Sequence, residues 1–304
     1  MTNLITDIKS LEIETLKNLK NSKAQNTLRA YQADFKDFSS FCVKNGFNSL
    51  PTEPKIIALY LTHLSSFSKF STLKRRIASI KVVHRLKGHY IDTKHPIITE
   101  NIMGIKRKLG VKQTSKKPIL INDLKKIINV IDEEKNELKK YQNKALILIG
   151  FAGGFRRSEL VSIEYEDVDF VAEGVKITLT KSKTDQTGIG LTKAIPYFEN
   201  KTYCPVISLK KWIEYSNIKN DKVFKVSDKT VALTIKKYTS IAGLDNSKYA
   251  CHSLRSGFAT STAEIGADER SIMAMTGHKT TQMVRRYIQE ANLFKNNALN
   301  KIKI

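Results

Sequence analysis

The sequence predicts a mainly α-helical protein of two domains, with a small β-sheet or hairpin confined to the second. Three observations carry this. Apolar residues recur at helical spacing over most of the chain. Between positions 175 and 196 the period changes to the alternation expected of strands. The length of 304 residues exceeds the about 100 to 200 residues of a typical domain. We divide the chain into a helical domain over 20–110, a linker over 111–118 and a second domain over 119–304.

From Ala24 to Gly46, Leu28, Tyr31, Phe35, Phe38 and Cys42 form one apolar stripe, and Gly46 supplies a helix stop. Pro54 opens a second helix with Ile57, Leu61 and Leu64 on one face. Ser71 is a candidate cap for a third, which carries Leu73, Ile77, Ile80 and Leu86. A fourth runs through Ile98, Ile102, Ile105 and Leu109. On the third helix Lys74, Arg75, Arg76, Lys81 and Arg85 lie off the apolar stripe with no acidic residue among them. Such a face suits phosphate contacts, and it also suits simple solvation.

Gly110 to Pro118 is polar and cationic, and Pro118 disfavours helix just before it. Its Lys116 and Lys117 are candidate contacts to a DNA backbone, although any exposed linker is polar. Helical spacing returns at Leu124, Ile127, Ile128 and Ile131 and again from Leu138 to Phe151. Val175 to Thr180 alternates as a strand, and Gly188 and Gly190 precede a second extended run that ends near Pro196. Further helices are expected over Pro205–Tyr215, Val231–Ile241, His252–Ile265, Glu269–Met275 and Thr280–Gln289, with a last candidate from Ala291 to Ile304.

The 52 Lys and Arg against 29 Asp and Glu give a net charge of +23, which suggests a polyanionic partner, though a compositional bias alone would also raise it. Cys42, Cys204 and Cys251 form no CxxC pair and are odd in number, which favours packing roles in a reducing cytoplasm. The longest apolar stretch, Ala145 to Phe155, is short of the about 20 residues that cross a bilayer. Asp7, Glu12 and Glu14 do not fit a signal peptide, so a soluble, cytoplasmic protein away from membranes is expected.

Breaking a phosphodiester without a metal requires a nucleophile, cations for the charge growing on the nonbridging oxygens, a proton acceptor and an acid for the leaving oxygen. The second domain offers candidates for each. Arg156 follows Gly153-Gly154-Phe155 and precedes Ser158-Glu159, at a tight junction between helices. A guanidinium there can fork onto two phosphate oxygens or pair with Glu159. His252-Ser-Leu-Arg255 puts an imidazole and a second guanidinium on one helix face, with Leu254 turned to the core. Gly277-His278 precedes Tyr287 by nine residues, a histidine at a turn before a helix that bears a tyrosine. With 11 tyrosines in the chain, Tyr287 is distinguished by this company alone. Neither a phosphate-binding Gly-rich loop nor a zinc spacing is found, so no metal and no cofactor is expected.

Taken in order, these segments resemble the tyrosine recombinase (phage integrase) family, whose signature joins an arginine before Ser-Glu-Leu, a hairpin lysine, His-x-x-Arg, Gly-His and tyrosine. The match spans about residues 118 to 289. The resemblance implies a DNA breaking-rejoining α+β catalytic domain, preceded by an all-helical core-binding domain with a SAM-like fold. It implies that Tyr287 attacks the scissile phosphate to give a 3′-phosphotyrosyl link, and that Arg156 and Arg255 hold the nonbridging oxygens. His278 would donate to the same phosphate, His252 would help deprotonate the tyrosine, and Glu159 would support Arg156. Lys181 and Lys183 both fit the hairpin lysine; Lys183 matches the Ser-Lys-Thr pattern better, which leaves Lys181 for a phosphate contact elsewhere. Phe155 stands where the family usually has leucine, and Asp185 places an acid in the hairpin loop.

The resemblance further implies double-stranded DNA with paired recombination sites as the partner, a monomer in the free state and a homotetramer on DNA. Residues 291–304 could pass to a neighbour as a helix, pack in cis or fray. The chain is expected to lack a separate arm-site-binding domain ahead of residue 20. Two other readings are weighed: a type IB topoisomerase that relaxes supercoils, and a DNA-binding regulator without catalysis.

Overall fold

The apolar periodicity of the first 110 residues closes into a helical unit. A computed structural model describes residues 7–21, 24–110, 116–180, 190–291 and 298–302. It separates into two units, Met1–Thr114 and Ser115–Ile304. In the first, α1 (Ile8–Asn21) begins ahead of residue 20, in a stretch where the sequence reading assigns no element. It is followed by α2 (Gln25–Lys44), α3 (Pro54–Ser65), α4 (Phe70–Leu86) and α5 (Pro96–Leu109). Phe38, Ile57, Leu61, Leu73 and Ile80 are fully buried from α2, α3 and α4, with Ile98 and Ile105 from α5. Each such side chain contributes about 1.5 to 3 kcal/mol by leaving water. Ser71 does not cap α4. The helix starts two residues earlier than a Ser71 cap requires, with Lys69 at the cap, because the amides of Thr72 and Leu73 already donate to the carbonyl of Lys69.

Of the five cations on α4, Arg75 and Arg76 turn out to be structural as well as charged. Arg75 forks onto the buried Asp34 carboxylate of α2, with both bonds at 2.9 Å. Arg76 reaches the Asp34 carbonyl at 3.0 Å and the Asp37 carboxylate at 3.3 Å. Lys74, Lys81 and Arg85 remain exposed. His84, fully buried, accepts from the amide of Thr52 and lies 2.9 Å from the carbonyl of Ile80. These contacts fix a neutral ring, and burial lowers its pKa to match.

In the second unit, α6 (Ile121–Asp132) precedes α7 (Glu137–Ala152), which is buried without interruption from Ala145 to Ala152. A helix apolar on every side belongs at the centre of a core, and this accounts for the longest apolar run in the sequence. Among the described residues no helix is long and apolar enough to cross a membrane. The short α8 (Arg157–Leu160) leads to a three-stranded antiparallel sheet in the order β1 (Val168–Val171), β2 (Gly174–Leu179), β3 (Leu191–Pro196). The register pairs Val175 with Ile195 and Ile177 with Lys193. β2 and β3 are the expected hairpin. β1 is absent from the sequence reading, because four half-exposed residues are too few for alternation to show.

The remaining helices are α9 (Pro205–Ser216), α10 (Asp228–Ile241), α11 (His252–Glu264), α12 (Glu269–Thr276) and α13 (Thr281–Ala291). A separate small core of Ala259, Ala263, Ile272 and Val284 joins α11, α12 and α13, with Tyr287 and Ile288 packed at its side. Residues 111–115 of the expected linker, the hairpin tip with Lys181, Lys183 and Asp185, and residues 292–297 of the expected last helix lie outside the described residues. Ala298–Lys301 forms a single 3-10 turn. Lys116 and Lys117 are described within the second unit. The Lys116 ammonium donates to the carbonyl of Ser247, and Lys117 sits 3.7 Å from Asp123 and over the ring of Tyr249.

Candidate active site

Three chain reversals bring the candidate side chains together. The first ends α7. Gly154 takes a left-handed conformation at φ 53°, which a side chain would strain, and Phe155 folds beneath the turn at 2% exposure. Arg156 follows in extended conformation and precedes α8. The Glu159 carboxylate accepts both from the backbone amide of Arg156 at 2.9 Å and from its guanidinium at 2.6 Å. Backbone and side chain of Arg156 are thus held by one carboxylate, itself 2% exposed. The ion pair and the phosphate-binding role considered for Arg156 are compatible, because the guanidinium keeps an edge on the surface at 17% exposure.

The second reversal starts α11. His252 is exposed at its first residue, while Arg255, one turn on, is buried at 1%. Arg255 donates to the carbonyl of Gly154 at 2.8 Å and to His278 Nε2 at 3.0 Å. The third reversal ends α12 at Gly277, left-handed at φ 62°, and turns His278 inward. The carbonyl of Gly277 accepts from Arg156 at 3.4 Å. A closed ring of contacts results: Arg156 to Gly277, His278 to Arg255, and Arg255 to Gly154, two residues from Arg156.

The His278 tautomer follows from its partners. Arginine can only donate, so Nε2 accepts. Thr276 donates its hydroxyl to the carbonyl of Ile272 at 2.6 Å, so the Nδ1–H donates to the Thr276 oxygen at 2.7 Å. The ring is therefore neutral, and burial together with Arg255 and Arg156 pushes its pKa down to about 4. The sign of the linkage is fixed. The unfolded histidine takes up a proton below about 6.5 while the folded one resists until about 4. Stability is complete above 6.5 and is lost as pH falls toward 4, by about 3 kcal/mol in total. We expect urea unfolding at pH 7 and pH 4.5 to show this difference, and His278→Gln to reduce it; an unchanged slope in that variant would exclude His278 as the source.

Tyr287 on α13 places its hydroxyl 3.4 Å from His252 Nε2, with its ring centroid 6.1 Å from that of His278. Although the residue is open to solvent at the helix start, crowding of its ring by the site, then Arg255 and Arg156, lowers the His252 pKa, so its imidazole is neutral near pH 7 and one ring nitrogen is free to accept a proton. Arg255 stays charged at neutral pH, although burial and Arg156 bring its pKa down to about 10. It also feels the Tyr287 oxygen electrostatically. The site therefore holds a hydroxyl, a neutral base and two guanidiniums, one of them held by the Glu159 carboxylate. That set can deprotonate a phenol and stabilise an anionic, phosphate-like transition state.

The structure thus brings the side chains of Arg156, Glu159, His252, Arg255, His278 and Tyr287 close together. It adds two residues that the reading missed. Thr276 orients His278, and nothing in the sequence marked it. Lys193 is fully buried on β3, donating to the carbonyl of Gly153 at 2.7 Å and lying 4.0 Å from Glu159. A signal existed for Lys193: Leu191, Lys193 and Ile195 share one strand phase, and Ile195 is core.

The phage integrase family model matches residues 119–293, more than half of the chain. An integrase/recombinase XerD homolog of Selenomonas ruminantium is 41% identical over 96% of this chain and 89% of its own length. A tyrosine recombinase XerC of Staphylococcus aureus is 26% identical over 92% and 91%. Among solved structures, XerH recombinase bound to palindromic difH substrate aligns with TM-score 0.67 at 20% identity, covering 88% of this chain and 80% of that one. A lambda integrase tetramer bound to a Holliday junction aligns at TM-score 0.59 and 17% identity, covering 99% and 82%. With this fold, this ordered site and these relatives, the chain belongs to the phage integrase family of tyrosine recombinases, enzymes that cleave and rejoin DNA.

Proposed function

We propose that this protein is a site-specific DNA recombinase in which Tyr287 is the nucleophile. The observation that carries the reading is the approach of the Tyr287 hydroxyl to His252 beside Arg156 and Arg255, both held in place by hydrogen bonds. His252 takes the phenol proton as the tyrosine oxygen bonds to phosphorus. The phosphorus–O5′ bond breaks, leaving a 3′-phosphotyrosyl link, and the departing oxygen takes a proton from Lys183, with Lys181 as the other candidate. Attack by a 5′-hydroxyl of a second strand reverses these steps and releases the tyrosine. Bond energy is kept in the protein–DNA link, so no nucleotide is consumed.

Arg156 and Arg255 neutralise the nonbridging oxygens, and His278 donates to the same phosphate. Because Nε2 of His278 carries no proton and accepts from Arg255 in the free protein, this last role requires Arg255 to give up that bond and the ring proton to move to Nε2, with the Thr276 hydroxyl then donating to Nδ1. The exposed Lys74, Lys81 and Arg85, together with Lys116, supply backbone contacts; Arg75 and Arg76 do so through what remains of their surface after pairing with Asp34. Lys117 adds to the same set. The complete reaction acts on paired sites in double-stranded DNA, through a homotetramer assembled from free monomers, in the cytoplasm.

The test is a nicked suicide duplex built from DNA flanking the gene, which loses its short 5′-hydroxyl strand after attack and so cannot religate. A covalent protein–DNA adduct whose digestion maps the nucleotide to Tyr287, and recombination confined to a pair of sites, are expected. Relaxation of an unrelated supercoiled plasmid by the monomer would instead make it a topoisomerase, and binding without any adduct would make it a regulator.

A further inference from the structure

Lys193 has no part in the reaction as written, yet it sits directly beneath it. Its side chain is 0% exposed. The ammonium donates to the carbonyl of Gly153, lies 4.2 Å over the ring of Phe155 and stands 4.0 Å from the Glu159 carboxylate. All three belong to one short stretch of chain. Gly153 immediately precedes Gly154, whose carbonyl receives Arg255. Phe155 supports that turn from below, and Glu159 holds both ends of Arg156.

We propose that Lys193 is a positioning residue, which ties β3 to the Gly153–Glu159 segment and so fixes Arg156 relative to Arg255 without touching DNA. This rests on the site reading given above. Full burial prevents Lys193 from reaching a phosphate or a leaving oxygen, so it is distinct from the hairpin lysine. Its surroundings are also unfavourable to it as a mere filler. Burial, with Arg255 and Arg156 nearby, brings its pKa down from 10.5 to about 7 against the opposing pull of Glu159. A methionine would fill the same channel without a buried charge, and replacing buried ionic groups by apolar ones of like volume is often neutral or stabilising. What methionine cannot do is donate to Gly153 or balance Glu159.

The experiment compares wild type, Lys193→Met and Lys193→Gln for thermal midpoint, DNA affinity and the single-turnover rate of adduct formation on the suicide duplex. Each substitution is repeated in an Arg156→Ala background. We expect the Met variant to keep its midpoint or gain, to bind DNA within about threefold of wild type, and to form adduct about 30-fold or more slowly. The Gln variant, which retains a donor for Gly153, should lose less rate, and it carries the test if the Met variant fails to fold. Because Lys193 acts through Arg156, its loss should change the rate less than about threefold in the Arg156→Ala background. Adduct formation at the wild-type rate in both single variants would overturn the proposal, as would a full multiplicative loss on top of Arg156→Ala. A rate loss that merely follows lost DNA binding or a fallen midpoint would overturn it too. A Tyr287→Phe protein that still forms adduct would instead overturn the site reading itself, whatever Lys193 does.

Discussion

Tyr287→Phe is expected to lower covalent capture of a suicide duplex by at least about 10⁴-fold while leaving DNA affinity within about threefold. The change removes one oxygen from a ring that packs against the small core of Ala259, Ala263, Ile272 and Val284, so the fold has little reason to respond. Among the described residues, Tyr287 is the tyrosine whose hydroxyl lies beside His252. Tyr60, Tyr203, Tyr238 and Tyr249 commit their hydroxyls to Asp37, Asn129, Glu134 and Asp123 respectively. Tyr287 directs its own at a neutral imidazole. Persistent adduct in the Phe variant, mapped to another residue, would remove Tyr287 from the mechanism.

Arg255→Ala should be nearly as damaging, for two separable reasons. Loss of a transition-state donor typically lowers a rate by about 10² to 10³, and a forked guanidinium supplies more than one donor. The structural part is distinct. The carbonyl of Gly154 and Nε2 of His278 would both lose their donor inside the protein, an effect of about 2 to 4 kcal/mol. Adduct formation is therefore expected to fall by at least about 10³-fold, with a lowered thermal midpoint. Arg255→Lys separates the two: an ammonium can reach one partner and keep the charge, but it lacks the fork. We expect Lys to recover most of the midpoint and less than about tenfold of the rate. Full recovery of rate by Lys would show that charge alone suffices, and that the fork geometry is irrelevant.

The helices were legible in the sequence because each buries one stripe and leaves the rest in water, as Phe38, Ile57 and Leu61 do. The site was legible for a chemical reason. Guanidinium, imidazole and phenol cannot be exchanged for similar groups, and each stands beside a turn or helix start that fixes it. Other features depend on partners distant in the chain. Nothing local shows that Arg75 and Arg76 meet Asp34, about 40 residues earlier on another helix. Lys193 was passed over because a lysine reads as outward-facing even when its strand phase points in. β1 was too short to carry a pattern. Ser71 was chosen as a cap on residue preference, yet the helix begins where the Lys69 carbonyl first finds its donors.

The ring that joins Arg156, Gly277, His278, Arg255 and Gly154 bears on the timing of the reaction. In the free protein several of the groups proposed to grip a phosphate already grip one another. On the proposed reading, a scissile phosphate takes up His278 by exchange with Arg255, one bond given up for the one made, and that exchange contributes little net affinity. Tight binding then has to come from contacts elsewhere along the duplex. On the same reading, a nonspecific phosphate that brushes the site finds His278 engaged with Arg255, and only DNA held long enough for that swap is cut. The same bonds that build the site would in this way keep a strand-breaking enzyme quiet until its substrate is fully seated.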